Sequence, residues 1–217
     1  RPYTTVFPKP LMPVGDRPIL EVLIRQLVEH GVDHVTIAVG YLANLIKVYF
    51  GNGSQFGLKI DYSIEDKPLG TMGPLRLIDD LPENFLVSNG DVLTDLSYSN
   101  FFRSHCAGEH VFSVSSFRRE LSSDFGVLKT DRDGILVGFQ EKPKFSLEVS
   151  MGVYAMHRRA LSVIPSDVPF GFDQLMLKLI EQDQKPHVFA HDGEWLDIGR
   201  PEDYDLAQVK FGDVGGK

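Results

Sequence analysis

Several short runs set a charged side chain on a backbone that could hold it still. Lys9 stands in Pro8-Lys9-Pro10, and Pro2, Pro8, Pro10 and Pro13 each lock their own φ. A lysine held in so stiff a loop loses little freedom on meeting a phosphate. A solvated lysine on a proline-rich surface loop would have the same sequence. Asp91 closes Asn89-Gly90-Asp91 after a strand-like run. A carboxylate there can reach a divalent cation, and magnesium takes one or two carboxylates plus water and phosphate oxygens. A turn residue or helix cap reads identically, and Asp95 fits that plainer role. Asp197 lies in Trp195-Leu196-Asp197-Ile198, a run that reads as buried strand. An unpaired carboxylate would be costly there, so it calls for a metal or a hydrogen-bond partner. In Glu65-Asp66-Lys67-Pro68-Leu69-Gly70-Thr71 the glycine would let a planar ligand approach the backbone. The expected helix start after it favours negative charge, although ordinary turn residues look alike. Gln140-Glu141-Lys142-Pro143 ends another strand, where a Glu-Lys pair by itself is usually only solvated.

The elements that would position these residues follow from periodicity. Leu20, Leu23, Ile24 and Leu27 repeat at helical spacing after Pro18, and Gly31 stops the run. Residues 34–39 read as a short buried strand, 42–50 as a helix closed by Gly51-Asn52-Gly53, and 58–64 as a half-buried strand. Residues 70–81 read as helix, 85–88 as strand, and Phe101 and Phe102 lie on a helix reaching about Ala107. Strands are expected at 111–117, 126–130, 135–140 and 149–156, with Asp131-Arg132-Asp133-Gly134 as a hairpin turn. Helices are expected at 159–164 and 172–182, the latter with Leu175, Leu179 and Ile180 as its buried stripe. A short strand at 195–198 precedes a helix opened by Pro201. The pattern predicts one α/β domain over 1–217. Its core is a Rossmann-like, mostly parallel twisted sheet with helices on both faces and an inserted antiparallel hairpin region at 110–156. Ligands of such sheets sit beyond the carboxyl ends of the strands, where Asn89-Gly90-Asp91 falls.

The formal net charge of −8 argues against general nucleic-acid binding, which needs a basic surface. A few local lysines can still hold a small anion. Cys106 is the single cysteine, which precludes an intrachain disulfide and suits a reducing cytoplasm. No apolar run approaches the roughly 20 residues of a membrane span. No signal peptide stands at the visible start; the chain begins at Arg1 rather than Met, so a targeting segment ahead of it stays open.

Taken in order, these runs resemble the sugar nucleotidyltransferases. Pro8-Lys9-Pro10-Leu11, Pro13-Val14-Gly15 and Pro18-Ile19-Leu20 look like that family's N-terminal signature. Pro68-Leu69-Gly70-Thr71, Glu141-Lys142-Pro143, Val149-Ser150-Met151-Gly152-Val153-Tyr154 and Trp195-Leu196-Asp197-Ile198-Gly199 come next, in the family's order. The likeness spans residues 1 to about 206 and is specific for the family rather than for one member. In the family a Gly-rich loop ending Gly-Thr-Arg-Leu comes first, and Arg1-Pro2-Tyr3-Thr4 matches the residues just after that loop. The expectation is that the first strand, this loop and its catalytic arginine lie upstream of residue 1, either cut away or left out as disordered.

The resemblance implies transfer of a nucleotidyl group from a nucleoside triphosphate to a sugar 1-phosphate, with Mg²⁺. Lys9 and Lys142 would be catalytic. Glu65, Pro68, Gly70, Thr71 and Asp91 would bind nucleotide, and Gly126, Glu141, Lys142, Ser150 and Gly152 the sugar phosphate within the inserted hairpin region. Asp91 and Asp197 would hold the metal. Glu65 stands where thymidine- and uridine-using relatives often carry glutamine. A carboxylate accepts only, which suits the adjacent N1–H and N2–H₂ donors of guanine, so GTP is expected, with mannose 1-phosphate or a related hexose or heptose. Met72 replaces the usual alanine, and Ser150 the usual asparagine, although glucose-1-phosphate adenylyltransferases also have Ser-Met-Gly. The rival readings are a regulatory homologue that binds nucleotide sugar without turnover, and a thymidylyl-, uridylyl- or cytidylyltransferase acting on glucose 1-phosphate. A metal-dependent glycosyltransferase would need Asp-X-Asp, which is absent, and a cytidylyltransferase acting on an alcohol phosphate would not need the sugar-side matches. The sequence leaves oligomeric state open, a homo-oligomer included.

Overall fold

Pro18 has no N–H to lose at a helix start, and apolar residues recur every three to four positions from Ile19. They form α1 (Ile19–Glu29), which buries Leu20, Leu23, Ile24 and Leu27. A computed structural model describes residues 8–40, 43–198 and 201–211 of the chain. The expected match at Arg1-Pro2-Tyr3-Thr4, the expected helix start at Leu42, and Gly199-Arg200 lie outside the described residues. A 3-10 turn at Lys9–Leu11 and a two-strand clip, β1 (Pro13–Val14) with β2 (Arg17–Pro18), precede α1.

β3 (His34–Val39) pairs in parallel with β4 (Lys59–Ile64), and α2 (Ala43–Phe50) crosses between them. The sequence predicts a buried β3, yet His34 and Ala38 are exposed and only Val39 is fully buried. Its one ladder among the described residues is the one to β4. The helix expected over 70–81 is replaced by a single 3-10 turn, Gly73–Leu77. Gly70 takes φ +77°, outside the right-handed helical region, and the amides of Met72 and Gly73 both donate to the Phe170 carbonyl, so a tertiary contact holds the segment as a turn. Met72, the departure from the family pattern, packs into the core with Leu75 and Phe170.

β5 (Asn84–Ser88) and β6 (Val92–Thr94) follow, then α3 (Tyr98–Ala107), whose Ser97 cap accepts from the Asn100 amide. β7 (Phe112–Ser122), the hairpin β8 (Val127–Thr130) and β9 (Leu136–Gln140), and β10 (Lys144–His157) come next. The segment expected to be helical at 159–164 is a 3-10 turn, Arg158–Val163. α4 (Phe172–Glu181) buries Leu175 and Leu179, but Ile180 is 62% exposed rather than part of the stripe. At about 100° per residue, position 180 lies well round the helix from 175 and 179. β11 (His187–His191), β12 (Trp195–Asp197) and α5 (Pro201–Phe211) complete the described chain.

The α/β architecture is present, and its ladders are more mixed than the alternation of helix and strand implied. The four-stranded sheet runs β11-β7-β10-β5, with β11 parallel to β7 and the other two ladders antiparallel. Successive β10 residues serve opposite faces. Val153 and Ala155 enter a core with α1 and α3, while Tyr154 and Met156 enter a second core with α4. β7 and β10 also run further than the sequence suggested, pairing as far out as Ser122 with Lys144. Phe117↔Val149, Arg119↔Leu147 and Leu121↔Phe145 alternate there with Arg118↔Glu148, Glu120↔Ser146 and Ser122↔Lys144. One face of this arm is largely apolar and the other polar, a pattern the charges at 118–120 concealed. The hairpin β8–β9 continues from its outer end.

Where α3 meets β7, His105 is fully buried, with its Nδ1 2.8 Å from Ser113 Oγ and no hydrogen-bond partner on Nε2 among the described residues. His110 and His187 stack at 4.2 Å beside it. Burial, followed by the proximity of His110, His157 and His187, lowers the His105 pKa from 6.5 to about 4. The unfolded chain therefore takes up this proton more readily. The contribution to stability is full above pH 6.5 and is lost as pH falls through about 4. Thermal unfolding should show the melting temperature of His105→Gln declining less than that of the native chain between pH 7 and pH 5. Equal declines would exclude His105 as the cause.

Candidate functional site

The carboxyl end of β5 meets the irregular middle of β10 at one rim of the sheet. The β7–β10 register shifts between Ser150 and Tyr154, and Gly152 there takes φ +77°. Its carbonyl accepts from the Asn89 amide at 2.9 Å, and glycine takes the φ of +77° that this turn needs without strain. Gly90 lies against Pro10, which seats the 3-10 turn of Lys9 beside the loop after β5. Lys9 Nζ then stands 3.9 Å from Asp91 Oδ2.

Asp197 arrives from the other end of the chain. β12 pairs antiparallel with β6 in the register Asp197↔Val92, Leu196↔Leu93 and Trp195↔Thr94, and the Ile198 amide donates to the Asp91 carbonyl at 3.3 Å. Trp195 Nε1 donates to the Met151 carbonyl at 3.0 Å and ties β12 to β10. Desolvation and then repulsion from the Asp197 carboxylate raise the Asp91 pKa, against the opposing pull of Lys9. The two carboxylates are therefore close enough to feel one another. Such a pair fits a hard divalent cation that fills its shell with water and phosphate oxygens. Among the described residues no group of three or more His, Cys, Asp or Glu side chains gathers to hold a metal alone.

The loop expected to meet the base is braced from within. Glu65 Oε2 accepts from the Leu69 amide at 3.0 Å, and its Oε1 would stand 2.9 Å from a Cβ at Gly40. One carboxylate oxygen thus closes the loop, and a carboxylate has further acceptor sites to offer. Thr71 Oγ1 accepts from the Phe172 amide at 2.9 Å, capping α4. Pro68, Gly70 and Thr71 are exposed at the surface of this loop.

The residues expected to bind the sugar phosphate fall into two groups. Ser150 and Gly152 belong to the rim, where the Ser150 hydroxyl donates to Tyr154 Oη and accepts from the Gly152 amide, both at 3.3 Å. Gly126 and Glu141 lie together at the base of the hairpin, since a Cβ at Gly126 would be 3.2 Å from Glu141 Oε2. Lys142, with φ +43°, comes directly after them. The unbroken strand from Lys144 to Ser150 spans roughly 20 Å at the usual rise per residue. The structure therefore does not bring Glu141 and Lys142 to Ser150, and the arm would have to bend for one ligand to touch both.

A cleft of about 520 Å³ opens between α4 and the polar face of the arm, lined in part by Ser116, Glu148, Ser150 and Phe172. Glu148 Oε1 accepts from Ser116 Oγ at 2.6 Å. Sequence reasoning misses both residues, although Glu148 lies two positions before Ser150 on the same strand and hence on the same face.

Residues 1–213 match the model of the nucleotidyl transferase family. The chain is 32% identical to the UTP–glucose-1-phosphate uridylyltransferase of Synechocystis sp., over 94% of this chain but only 58% of that relative's length. It is 30% identical to the D-glycero-alpha-D-manno-heptose 1-phosphate guanylyltransferase of Aneurinibacillus thermoaerophilus, over 97% of this chain and 92% of the relative. The crystal structure of HddC from Yersinia pseudotuberculosis complexed with GMP-PN superposes with a TM-score of 0.69 at 26% identity, covering 94% of this chain and 90% of that one.

Repulsion within the acidic pair has a direct readout. Asp197→Asn should lower the pKa of Asp91 towards the ordinary carboxylate value, as followed by ¹³C NMR titration of the side-chain carboxyl. An unchanged Asp91 titration would mean that the two carboxylates do not interact.

Proposed function

The chain belongs to the nucleotidyl transferase family, and on that premise we propose that it joins a nucleoside triphosphate to a sugar 1-phosphate, releasing pyrophosphate. The observation that carries this reading is the Asp91–Asp197 carboxylate pair with Lys9 at the sheet rim. The reaction brings two anions together. A phosphate oxygen of the sugar 1-phosphate attacks the α-phosphorus in line, and pyrophosphate departs from the opposite side. The attacking phosphate is already ionised, so no general base is required. The protein's task is positioning and charge neutralisation.

Asp91 and Asp197 would hold Mg²⁺, which would neutralise charge on the phosphate oxygens. Lys9 would pair with the triphosphate, exchanging its contact to Asp91 for a phosphate oxygen. Ser150 and Gly152 would border the sugar at the rim, and Gly126, Glu141 and Lys142 would reach the sugar phosphate once the arm bends inwards. The exposed turn at Pro68, Gly70 and Thr71 would flank the base. Glu65 would accept from its edge with the oxygen not used by Leu69.

The nucleotide in this reading is GTP, and the sugar is mannose 1-phosphate or a related hexose or heptose phosphate. Support comes from the acceptor-only chemistry of Glu65 and from the relative named a heptose 1-phosphate guanylyltransferase, which the chain covers almost fully. The GMP-PN complex of a structural neighbour agrees with it. The free Cys106 suits a reducing cytoplasm as the site of the reaction. Among the described residues no helix is long and apolar enough to cross a membrane.

A pyrophosphate-release panel crossing GTP, UTP, dTTP and CTP with mannose, glucose and heptose 1-phosphates tests the reading. GTP should give the highest kcat/KM, and preference for UTP or dTTP would overturn the role of Glu65. In the same assay Lys142→Ala should raise the KM for the sugar phosphate about tenfold, the scale of one charge-assisted hydrogen bond. An unchanged KM would remove Lys142 from the site.

A further inference from the structure

The two carboxylates at the rim come from strands of only three residues each, β6 and β12, too short to hold a register alone. Immediately before β12, however, the turn at 191–194 is stitched to the end of β6. Asp95 Oδ1 accepts from the Glu194 amide at 2.6 Å and lies 2.8 Å from His191 Nε2. The Asp95 amide donates back to the Glu194 carbonyl at 3.2 Å, and Thr94 Oγ1 donates to that same carbonyl at 2.7 Å. Gln26 on α1 donates to the Thr94 carbonyl at 2.9 Å, so the β6 side is anchored to the core helix. Lys210 on α5 pairs with the Glu194 carboxylate.

Gly193 shows how closely the turn wraps this carboxylate. A Cβ there would stand 2.3 Å from Asp95 Oδ1 and 2.7 Å from Oδ2. From the sequence alone Asp95 is a plain cap or turn residue. The geometry points to more: we propose that Asp95, gripping the 191–194 turn, is the positioning residue that fixes the register of β12 and so delivers Asp197 beside Asp91. Two residues past the Asp95–Glu194 contact, Leu196 pairs with Leu93, and one further on Asp197 faces Val92. A slip of one residue would turn Asp197 to the other side of the strand. Asp95 acts through Asp197, and the inference rests on the reading of Asp91 and Asp197 as the cation-holding pair.

The test is a Mn²⁺ titration followed by the EPR signal of the free ion, alongside pyrophosphate release. Asp95→Ala and Gly193→Ala should each weaken Mn²⁺ binding about tenfold or more, the usual cost of losing a group that orients a metal ligand. Both should lower kcat by a similar factor while the KM for the sugar phosphate stays within about twofold. Asp95→Asn keeps an oxygen acceptor for the Glu194 amide and should recover most of the Mn²⁺ affinity. Gly193→Ala retains every charge, so it separates positioning from electrostatics, and circular dichroism with thermal melts establishes that each variant is folded. Folded Asp95→Ala and Gly193→Ala proteins that bind Mn²⁺ like the native protein would overturn the positioning role alone. A native protein that neither binds Mn²⁺ nor releases pyrophosphate would overturn the proposed function and this inference with it.

Discussion

Asp91 and Asp197 approach one another because β12 pairs antiparallel with β6, and that pairing crowds two negative charges into one partly desolvated place. Like charges brought together in this way cost free energy. The surrounding structure has to supply the compensation. Lys9 does so electrostatically, on a turn stiffened by prolines and seated against Gly90. The Asp95 turn does so mechanically, by leaving β12 no other register. A site held under such tension is well suited to a ligand that brings positive charge, because the repulsion it relieves is already present.

The rest of the rim is arranged around that constraint. β10 breaks its register with β7 at Ser150, and the turn at Gly152 lets Asn89 dock onto the broken stretch. Trp195 fastens the same stretch to β12 through the Met151 carbonyl. The loop after β4 is held by Glu65 at one end and by the Phe170 backbone at the other. Apart from the local Glu65–Leu69 bond, these contacts cross large sequence separations, so the rim depends on the fold as a whole.

The β7–β10 arm obeys a different logic. Its apolar face carries Leu121, Phe145 and Leu147, each nearly half exposed, and the hairpin beyond adds Phe125 and Phe139. At its inner end Arg119 stands 3.7 Å from Asp203 and over the Trp195 ring, and Phe117 meets the same ring. The separation of Glu141 and Lys142 from Ser150 is a property of this open arm.

The sequence by itself determined most of the element types and boundaries, and the chemistry of the side chains. Helical spacing in α1, the Asp131–Gly134 hairpin turn and the placing of Asn89-Gly90-Asp91 at a strand end all stand in the structure, because each depends on neighbours within a few residues. Ordered motifs likewise sufficed to mark the family. Only the tertiary structure decided that residues 70–81 would not be a helix, since Gly70 turns to φ +77° and the segment docks on the Phe170 carbonyl. It alone decided that Ile180 would face outwards, and that Glu148 would share a cleft with Ser150. It alone joined Asp95 to the turn before Asp197, through contacts made about a hundred residues apart. Local propensity carries no information about such partners. They meet only once strand pairing and loop contacts bring together residues far apart in sequence.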